Sequence, residues 1–433
     1  MSRDRLPTVA RHGRLRRSRP ALVVLRTVAI AIAVVLVSTV SVAAIAVFRL
    51  STSITASTVH LQHESGATAP PGIDAITGGV NLLLVGTDTR TGQGGQFANK
   101  ADLAASSGAG NNDVTILLHI AQDHRSAMVV SFPRDLILNL PACPSPKGGS
   151  YSSVTNAMLN SSLSRGGLAC PVLTIEKLTG TTIPYAASIS FDGVAAMSDA
   201  VGGVTVCVAN SILDPYVGLT LSAGLHTLQG AQALAFVRSR HGVGDGSDLG
   251  RISSQQVFLS ALARKIESEG VLKNPLQLYG LANAASQNMQ LSDTLAHVDT
   301  MVSIALALKS IPLENIVMIQ YPTATSPAFP NRVVPVPSTD AAVNNALVND
   351  LAVSLTGTTG RGSVVSTDPT ASATPTPTPA PTGKNGKPLP AKEKGSLPPK
   401  VTATPTPATT TALPTSVTGQ TAAEQTCAKG SGK

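Results

Sequence analysis

The sequence predicts an α/β (α+β) domain: a β-sheet covered by helices, behind an N-terminal membrane segment and ahead of a disordered tail. Three observations carry this. Short apolar runs alternate with helix-patterned stretches between about residues 80 and 355. A charge-free stretch, TVAIAIAVVLVSTVSVAAIAVF (27–48), is long enough to span a bilayer. After about residue 356 the core patterning gives way to Pro/Thr-rich low complexity.

The N-terminus comes first. Arg3, Arg5, Arg11, Arg14, Arg16, Arg17, Arg19 and Arg26 precede the apolar span, against one acid, Asp4. Positive charge before a span keeps that side in the cytoplasm. The organisation expected is a cytoplasmic basic segment (1–26), a transmembrane helix (27–48), a juxtamembrane spacer (49–78), an exported domain (79–355) and a tail (356–433). A cleaved signal peptide is the rival reading; its apolar region would be shorter. The formal charge of +8 over 433 residues does not indicate nucleic-acid binding, because the first 26 residues supply nearly all of it. Tryptophan is absent and aromatics make up 3% of the chain, which argues against stacking platforms for bases or sugars.

Within the domain, NLLLVG (81–86), VTILLHI (114–120), SAMVVSF (126–132), VGGVTVCV (201–208) and NIVMIQYP read as strands. SVTNAMLNSSLS, ACPVLTIEKLTG, VFLSALARKIESEG and LSDTLAHVDTMVSIALALKSI read as helices. The tail reads as extended and without a core, hence dispensable for chemistry. The four cysteines lie on the side expected to be exported, where disulfides persist. Four cysteines allow three complete pairings; Cys143 with Cys170 is preferred because they bracket one loop-rich segment, and Cys427 is expected to lack a fixed partner. No CxxC, HExxH, GxSxG or GxxxxGK[ST] pattern occurs, so zinc, serine-hydrolase and phosphate-loop chemistries have no motif.

The richest stretch is AQALAFVRSRHGVGDGSDLGRISSQQ (231–256). If extended, Arg238 and Arg240 point the same way, two residues apart. On the helix that follows, Arg251 and Gln255 share a face, with Asp248 at its start. Forked guanidinium donors beside a helix N-terminus suit a multiply charged anion. Two further carboxylates sit at strand ends, Asp88 in GTDTR and Asp113 in NNDVT, and Arg134 follows a strand in SFPRD. Two such carboxylates can share Mg²⁺ (or Mn²⁺) with substrate phosphate oxygens.

These segments, in order and spacing, resemble the LytR-CpsA-Psr (LCP) family: NLLLVGTDTR, DVTILLHI, VVSFPRDL, LTGTTI, SFDGVAAMSDAVGGVTVCV, LHTLQGAQALAFVRSR and GDGSDLGRISSQQVFL. The Ala/Pro/Thr-rich style and the cysteines resemble actinobacterial members. The resemblance implies an LCP-type central mixed β-sheet flanked by helices, with a hydrophobic pocket for a prenyl chain. It implies membrane-anchored transfer of a glycopolymer from a polyprenyl-pyrophosphate carrier onto peptidoglycan, outside the cytoplasmic membrane. By the same resemblance Asp88 and Asp113 hold the metal. Arg134, Arg238, Arg240, Arg251 and Gln255 bind the pyrophosphate, and Asp248 supports the arginines. Hydrolysis of the same carrier, or carrier binding without catalysis, are the alternative readings. The topology has a direct test: a reporter fused after residue 60 is expected to be active only outside the membrane, and cytoplasmic activity would refute it.

Overall fold

The computed structural model describes residues 24–25, 28–30, 58–61, 78–89, 110–145, 148–268, 275–366 and 410–432. The chain divides into two compact units, residues 1–52 and 53–433. In the first, residues 24–25 and 28–30 are helical, and the remainder of the expected 27–48 span lies outside the described residues. Among the described residues no helix is long and apolar enough to cross a membrane.

The second unit holds β1 (Val80–Thr87), β2 (Asn112–Ile120), β3 (Ala127–Phe132), β4 (Tyr185–Ile189), β5 (Val204–Asn210), β6 (Gly224–Leu228), β7 (Met289–Leu291), β8 (Ile316–Gln320), β9 (Ser363–Val365), β10 (Gly419–Thr421) and β11 (Thr426–Lys429). Its helices are α1 (Ser162–Gly166), α2 (Ala169–Thr179), α3 (Phe191–Ala200), α4 (Gly230–Arg238), α5 (Asp248–Ser268), α6 (Pro275–Asn288), α7 (Val298–Lys309) and α8 (Pro337–Val348). Several two- to five-residue strand pairs complete it.

A seven-stranded sheet runs in the order β7-β4-β1-β2-β3-β8-β10. β1, β2 and β3 form an antiparallel meander, while β4 joins β1 and β8 joins β3 in parallel. The sheet is therefore mixed, as expected. On one face Leu83, Leu117, Val130 and Ile319 pack with Val172 and Ile175 of α2 and Val343 and Leu347 of α8. Alternation along each strand sends the next residues to the opposite face. There Gln320 and Met318 of β8 meet Ser253 and Ser260 of α5. A second sheet, ordered β6-β5-β11-β9, buries Val204, Val206 and Val208 with Phe236 of α4 and Phe258 of α5. Helix α5 is thus covered on two sides by β-structure. That is why twelve of its residues, polar ones included, are buried.

Four expectations need correction. Val154–Met158, read as helix, is a strand antiparallel to Ile137–Leu140, and the helix is confined to α1. Asn156 has a φ of 55°, which no α-helix interior accommodates, and its N–H is held by Asn139. The helix expected from Leu291 starts only at Val298, because Met289–Leu291 is drawn into the sheet edge against β4. The spacer does not run unbroken to residue 78: Val59 bridges to Ser292, Leu61 is buried and His60 pairs with Asp293 at 2.6 Å.

The fourth correction is the largest. Residues 356–366 and 410–432, assigned to a disordered tail, belong to the domain, and 367–409 and 433 lie outside the described residues. β10 closes one edge of the central sheet, and β11 is an inner strand of the second. Gln420 donates to Ser260 Oγ at 2.6 Å, and Arg264 of α5 donates to the carbonyls of Ala422 and Glu424. Cys427 is bonded to Cys207, facing it across the β5–β11 ladder, and Cys143 is bonded to Cys170. The composition of the preceding Pro/Thr tract masked two short strands that pair with β8 and β5, far upstream in the chain.

Two outcomes follow. Peptide mapping without reduction should recover both disulfide-linked pairs; alkylation of Cys207 and Cys427 as free thiols would refute the second. Cys427→Ser should cost about 2–5 kcal/mol, since this crosslink closes a very long loop. An unchanged denaturation midpoint would refute that contribution.

Candidate functional site

The site forms where β1 and β3 end and β2 begins, beneath the start of α5. The hairpin register places its first pair. Thr115 faces Phe132, and continuing that register by two residues sets Asp113 opposite Arg134. Arg134 Nη1 donates to Asp113 Oδ1 at 2.6 Å. Pro133 takes Arg134 out of the ladder, and a turn follows, with Leu136 N–H donating to Pro133 O and Asn160 N–H to Arg134 O. The approach of Arg134 to Asp113 was hidden in the sequence, where no cation stands beside Asp113.

Asp248 supplies the second anchor. Ser247 caps α5, its Oγ accepting from Gly250 N–H at 3.2 Å, which puts Asp248 in the first turn where negative charge is favoured. Asp248 Oδ1 pairs with Arg251 Nη2 at 2.6 Å, three residues on. Its Oδ2 accepts Arg134 N–H at 3.1 Å, and Arg134 Nε lies 3.8 Å from Oδ1. Arg251 Nη2 also donates to the carbonyl of Asp113. The side chains of Arg251 and Asp248 are only 6% and 4% exposed, so this pair is interior. As placed here, Arg251 braces the site from within.

Arg240 stands differently. Burial lowers its pKa, as do Arg134 and Arg251; Asp248 and Asp113 oppose that. The guanidinium keeps its proton regardless. Arg134, Arg240 and Arg251 thus gather about Asp113 and Asp248, with Asp135 also acting on Arg134, and among the described residues Arg240 forms no ion pair; its Nη2 lies 3.5 Å from His241 Nε2. For Arg134, burial is outweighed by Asp113 first and then Asp248, and its pKa lies above the ordinary arginine value.

The premise that Arg238 and Arg240 lie on one extended segment fails. Arg238 is the last residue of α4, where its guanidinium carbon sits 4.0 Å above the Phe191 ring, and Arg240 lies in the turn beyond. Gln255 lies on α5 with Arg251, and its amide donates to Val237 O at 2.8 Å, tying α5 to the end of α4.

Asp88 sits just past β1, held by the backbone N–H and the amide of Asn111. Gly110 has a φ of 78°, and a Cβ there would lie 2.4 Å from Thr87 Oγ1 and 2.9 Å from Asp88 Oδ1. Only glycine lets this loop press against Asp88. Asp88 and Asp113 lie at the same end of adjacent antiparallel strands. Among the described residues no three His, Cys, Asp or Glu gather as a metal cluster. The donor set nonetheless fits Mg²⁺, which takes one or two carboxylates plus phosphate oxygens. The adjoining Asn112 amide is fully buried without a hydrogen-bond partner, an unfilled polar position at the same strand end.

Nothing in the residue pattern points to the role of the C-terminal strand here. Gly244 N–H donates to Lys429 O, Ser431 N–H donates to Gly242 O and Val243 bridges to Gly430. Arg361 pairs with Asp245 at 2.8 Å in the same loop. The loop between Arg240 and α5 is thus clamped by β11 and the residues that follow it.

A mixed α/β domain with arginines and aspartates gathered at one sheet end is the class this structure defines. The LytR_cpsA_psr family model matches residues 46–346, and the chain belongs to the LytR-CpsA-Psr family. It is 30% identical over 239 residues to cell wall biosynthesis protein LcpA of Corynebacterium glutamicum (51% of this chain, 46% of that one). It is 32% identical over 235 residues to the probable cell wall biosynthesis protein LcpB of the same organism (54% and 53%). It is 26% identical over 247 residues to TagT of Bacillus subtilis, a polyisoprenyl-teichoic acid–peptidoglycan teichoic acid transferase (56% and 67%). The chain spans about half the length of the first two relatives.

Replacing Asp248 by Asn should destabilise the domain by about 3 kcal/mol, because Arg251 would be left buried without its carboxylate. Urea denaturation checks this, and an unchanged midpoint would show that the pair carries no such weight.

Proposed function

We propose that this protein transfers a glycopolymer from a polyprenyl-pyrophosphate carrier onto peptidoglycan outside the cytoplasmic membrane. The observation that carries it is Arg240, a partly buried guanidinium beside the Arg134–Asp113 and Arg251–Asp248 pairs that is itself in no ion pair among the described residues. A pyrophosphate supplies Arg240 with an anionic partner. The relatives named for cell-wall biosynthesis and for teichoic acid transfer to peptidoglycan support the same reading. Two disulfides suit an oxidising compartment, which supports export, with residues 27–48 as anchor and the N-terminus in the cytoplasm.

In the reaction proposed, an acceptor hydroxyl oxygen bonds to the phosphorus nearer the glycan. The bond from that phosphorus to the bridging oxygen breaks. The prenyl monophosphate leaves with the electron pair, and the glycan becomes joined to its acceptor by a phosphodiester. The hydroxyl proton passes to a site carboxylate. Arg240 and Arg134 hold the phosphate oxygens on which charge develops, and their positions are set before substrate arrives. Arg238 lies at the end of α4 toward the same loop, and Gln255 fixes α4 against α5. Asp248 and Arg251 keep Arg134 aimed. Asp88 and Asp113 would hold Mg²⁺ or Mn²⁺, which when bound supplies Lewis-acid neutralisation of the phosphate oxygens.

The test is turnover of a synthetic prenyl-pyrophosphoryl saccharide, with and without peptidoglycan. Product joined to peptidoglycan is expected; release of the saccharide phosphate to water at the same rate in both arms would make the protein a hydrolase instead. Arg240→Ala should lower turnover by about 10²-fold with the fold retained. Arg240→Lys should rescue little, since one ammonium lacks the guanidinium fork. EDTA should stop transfer and Mg²⁺ restore it; full activity in EDTA, with Asp88→Asn unimpaired, would remove the metal from the mechanism.

A further inference from the structure

Arg240 projects from a turn, Ser239 to Gly242, whose conformation depends on a residue from elsewhere in the chain. Asp214 ends the short strand Ile212–Asp214 and is 1% exposed. Its Oδ2 accepts three hydrogen bonds: from Ser239 Oγ at 2.8 Å, Arg240 N–H at 3.0 Å and Gly242 N–H at 3.1 Å. Its Oδ1 accepts Tyr216 N–H at 3.2 Å. Among the described residues no lysine or arginine pairs with it. A buried carboxylate without a cation is costly unless its lone pairs are filled. Here they are filled by four donors, three of them from the turn bearing Arg240: two backbone N–H groups and the Ser239 hydroxyl.

We propose that Asp214 is a positioning residue for the anion site: it touches no ligand, but its carboxylate sets the Ser239–Gly242 turn and so aims Arg240. This inference rests on the pyrophosphate-site reading above. Two more observations support it. A Cβ at Gly242 would lie 2.8 Å from Asp214 Cβ and 2.9 Å from Leu213 O, so the turn is drawn tightly onto the carboxylate. Burial raises the Asp214 pKa, but the donors from Ser239, Gly242, Arg240 and Tyr216 outweigh it and hold the group below the ordinary carboxylate range. The carboxylate therefore remains charged while the site works at neutral pH. Its charge is spent on N–H and O–H dipoles and leaves the guanidinium of Arg240 for an external anion.

The test measures inorganic pyrophosphate binding by calorimetry on the full-length protein in detergent. Wild type, Asp214→Asn, Arg240→Ala and the double variant are compared, with amide hydrogen exchange followed over residues 237–244. Asp214→Asn keeps the shape but places an amide among donors. It should weaken pyrophosphate binding about tenfold and speed exchange at Arg240 and Gly242. In the Arg240→Ala background the same change should cost less than about twofold, because its effect passes through Arg240. A full tenfold loss in that background, or wild-type affinity in Asp214→Asn, would overturn the proposal. Wild-type affinity in Arg240→Ala would instead overturn the pyrophosphate-site reading, and the proposal with it. If Asp214→Asn does not fold, Ser239→Ala decides, since it removes one donor and keeps the carboxylate. Weaker pyrophosphate binding with faster exchange over 239–242 is expected, and wild-type values of both would overturn the proposal.

Discussion

The interaction on which this site depends is the Asp248 carboxylate. It stands in the first turn of α5 and receives Arg251 from its own helix and the backbone N–H of Arg134 from the end of β3. One buried anion thereby joins helix to sheet. Without it, two guanidinium groups would crowd each other in a poorly solvated place, and Arg134 would have only Asp113 to hold it. The cost of burying Asp248 is offset because its charge meets a helix N-terminus, an ion pair and a backbone donor together. A charged interior of this kind stabilises little on balance. Its value lies in fixing where the arginines stand.

Helix α5 can carry that task because it is enclosed. The central sheet lies on one side and the second sheet on another. Between them runs a buried polar seam, Ser253 with Gln320 and Ser260 with Gln420. The last strands of the chain complete this enclosure. Through Lys429, Gly430 and Ser431 they also hold the loop that joins Arg240 to α5. The chain thus returns from beyond its Pro/Thr-rich tract to secure the loop carrying its chemistry, with the Cys207–Cys427 bond pinning the return.

Much of the frame was legible. β1, β2, β3, β8, α2 and α5 all fall on their predicted stretches, because each has an apolar pattern of the right period and a local stop, such as Gly180 at a φ of 75° after α2. The candidate residues were legible as types: Asp88 and Asp113 at strand ends, Arg134 after a strand, Asp248 and Arg251 at a helix start. Partnership was not. Arg134 and Asp113 are 21 positions apart, and Arg134 and Asp248 are 114. Asp214 drew no notice, since a lone Asp before Pro reads as a turn former.

Periodicity, caps and turn residues act over a few positions, so the sequence sufficed for the α/β class, for β1, β2, β3, β5, β8, α2 and α5, and for the inventory of charged groups. The tertiary structure alone decided which charges cancel and which remain. It turned Arg238 onto Phe191, spent Arg251 on Asp248, gave Arg134 to Asp113 and left Arg240 in no ion pair among the described residues. It also returned residues 410–432 to the fold. The physical reason is common to both. Ion pairing and strand pairing are set by distance in space and by the dielectric around the partners, and neither quantity exists along the chain until the sheets have closed around α5.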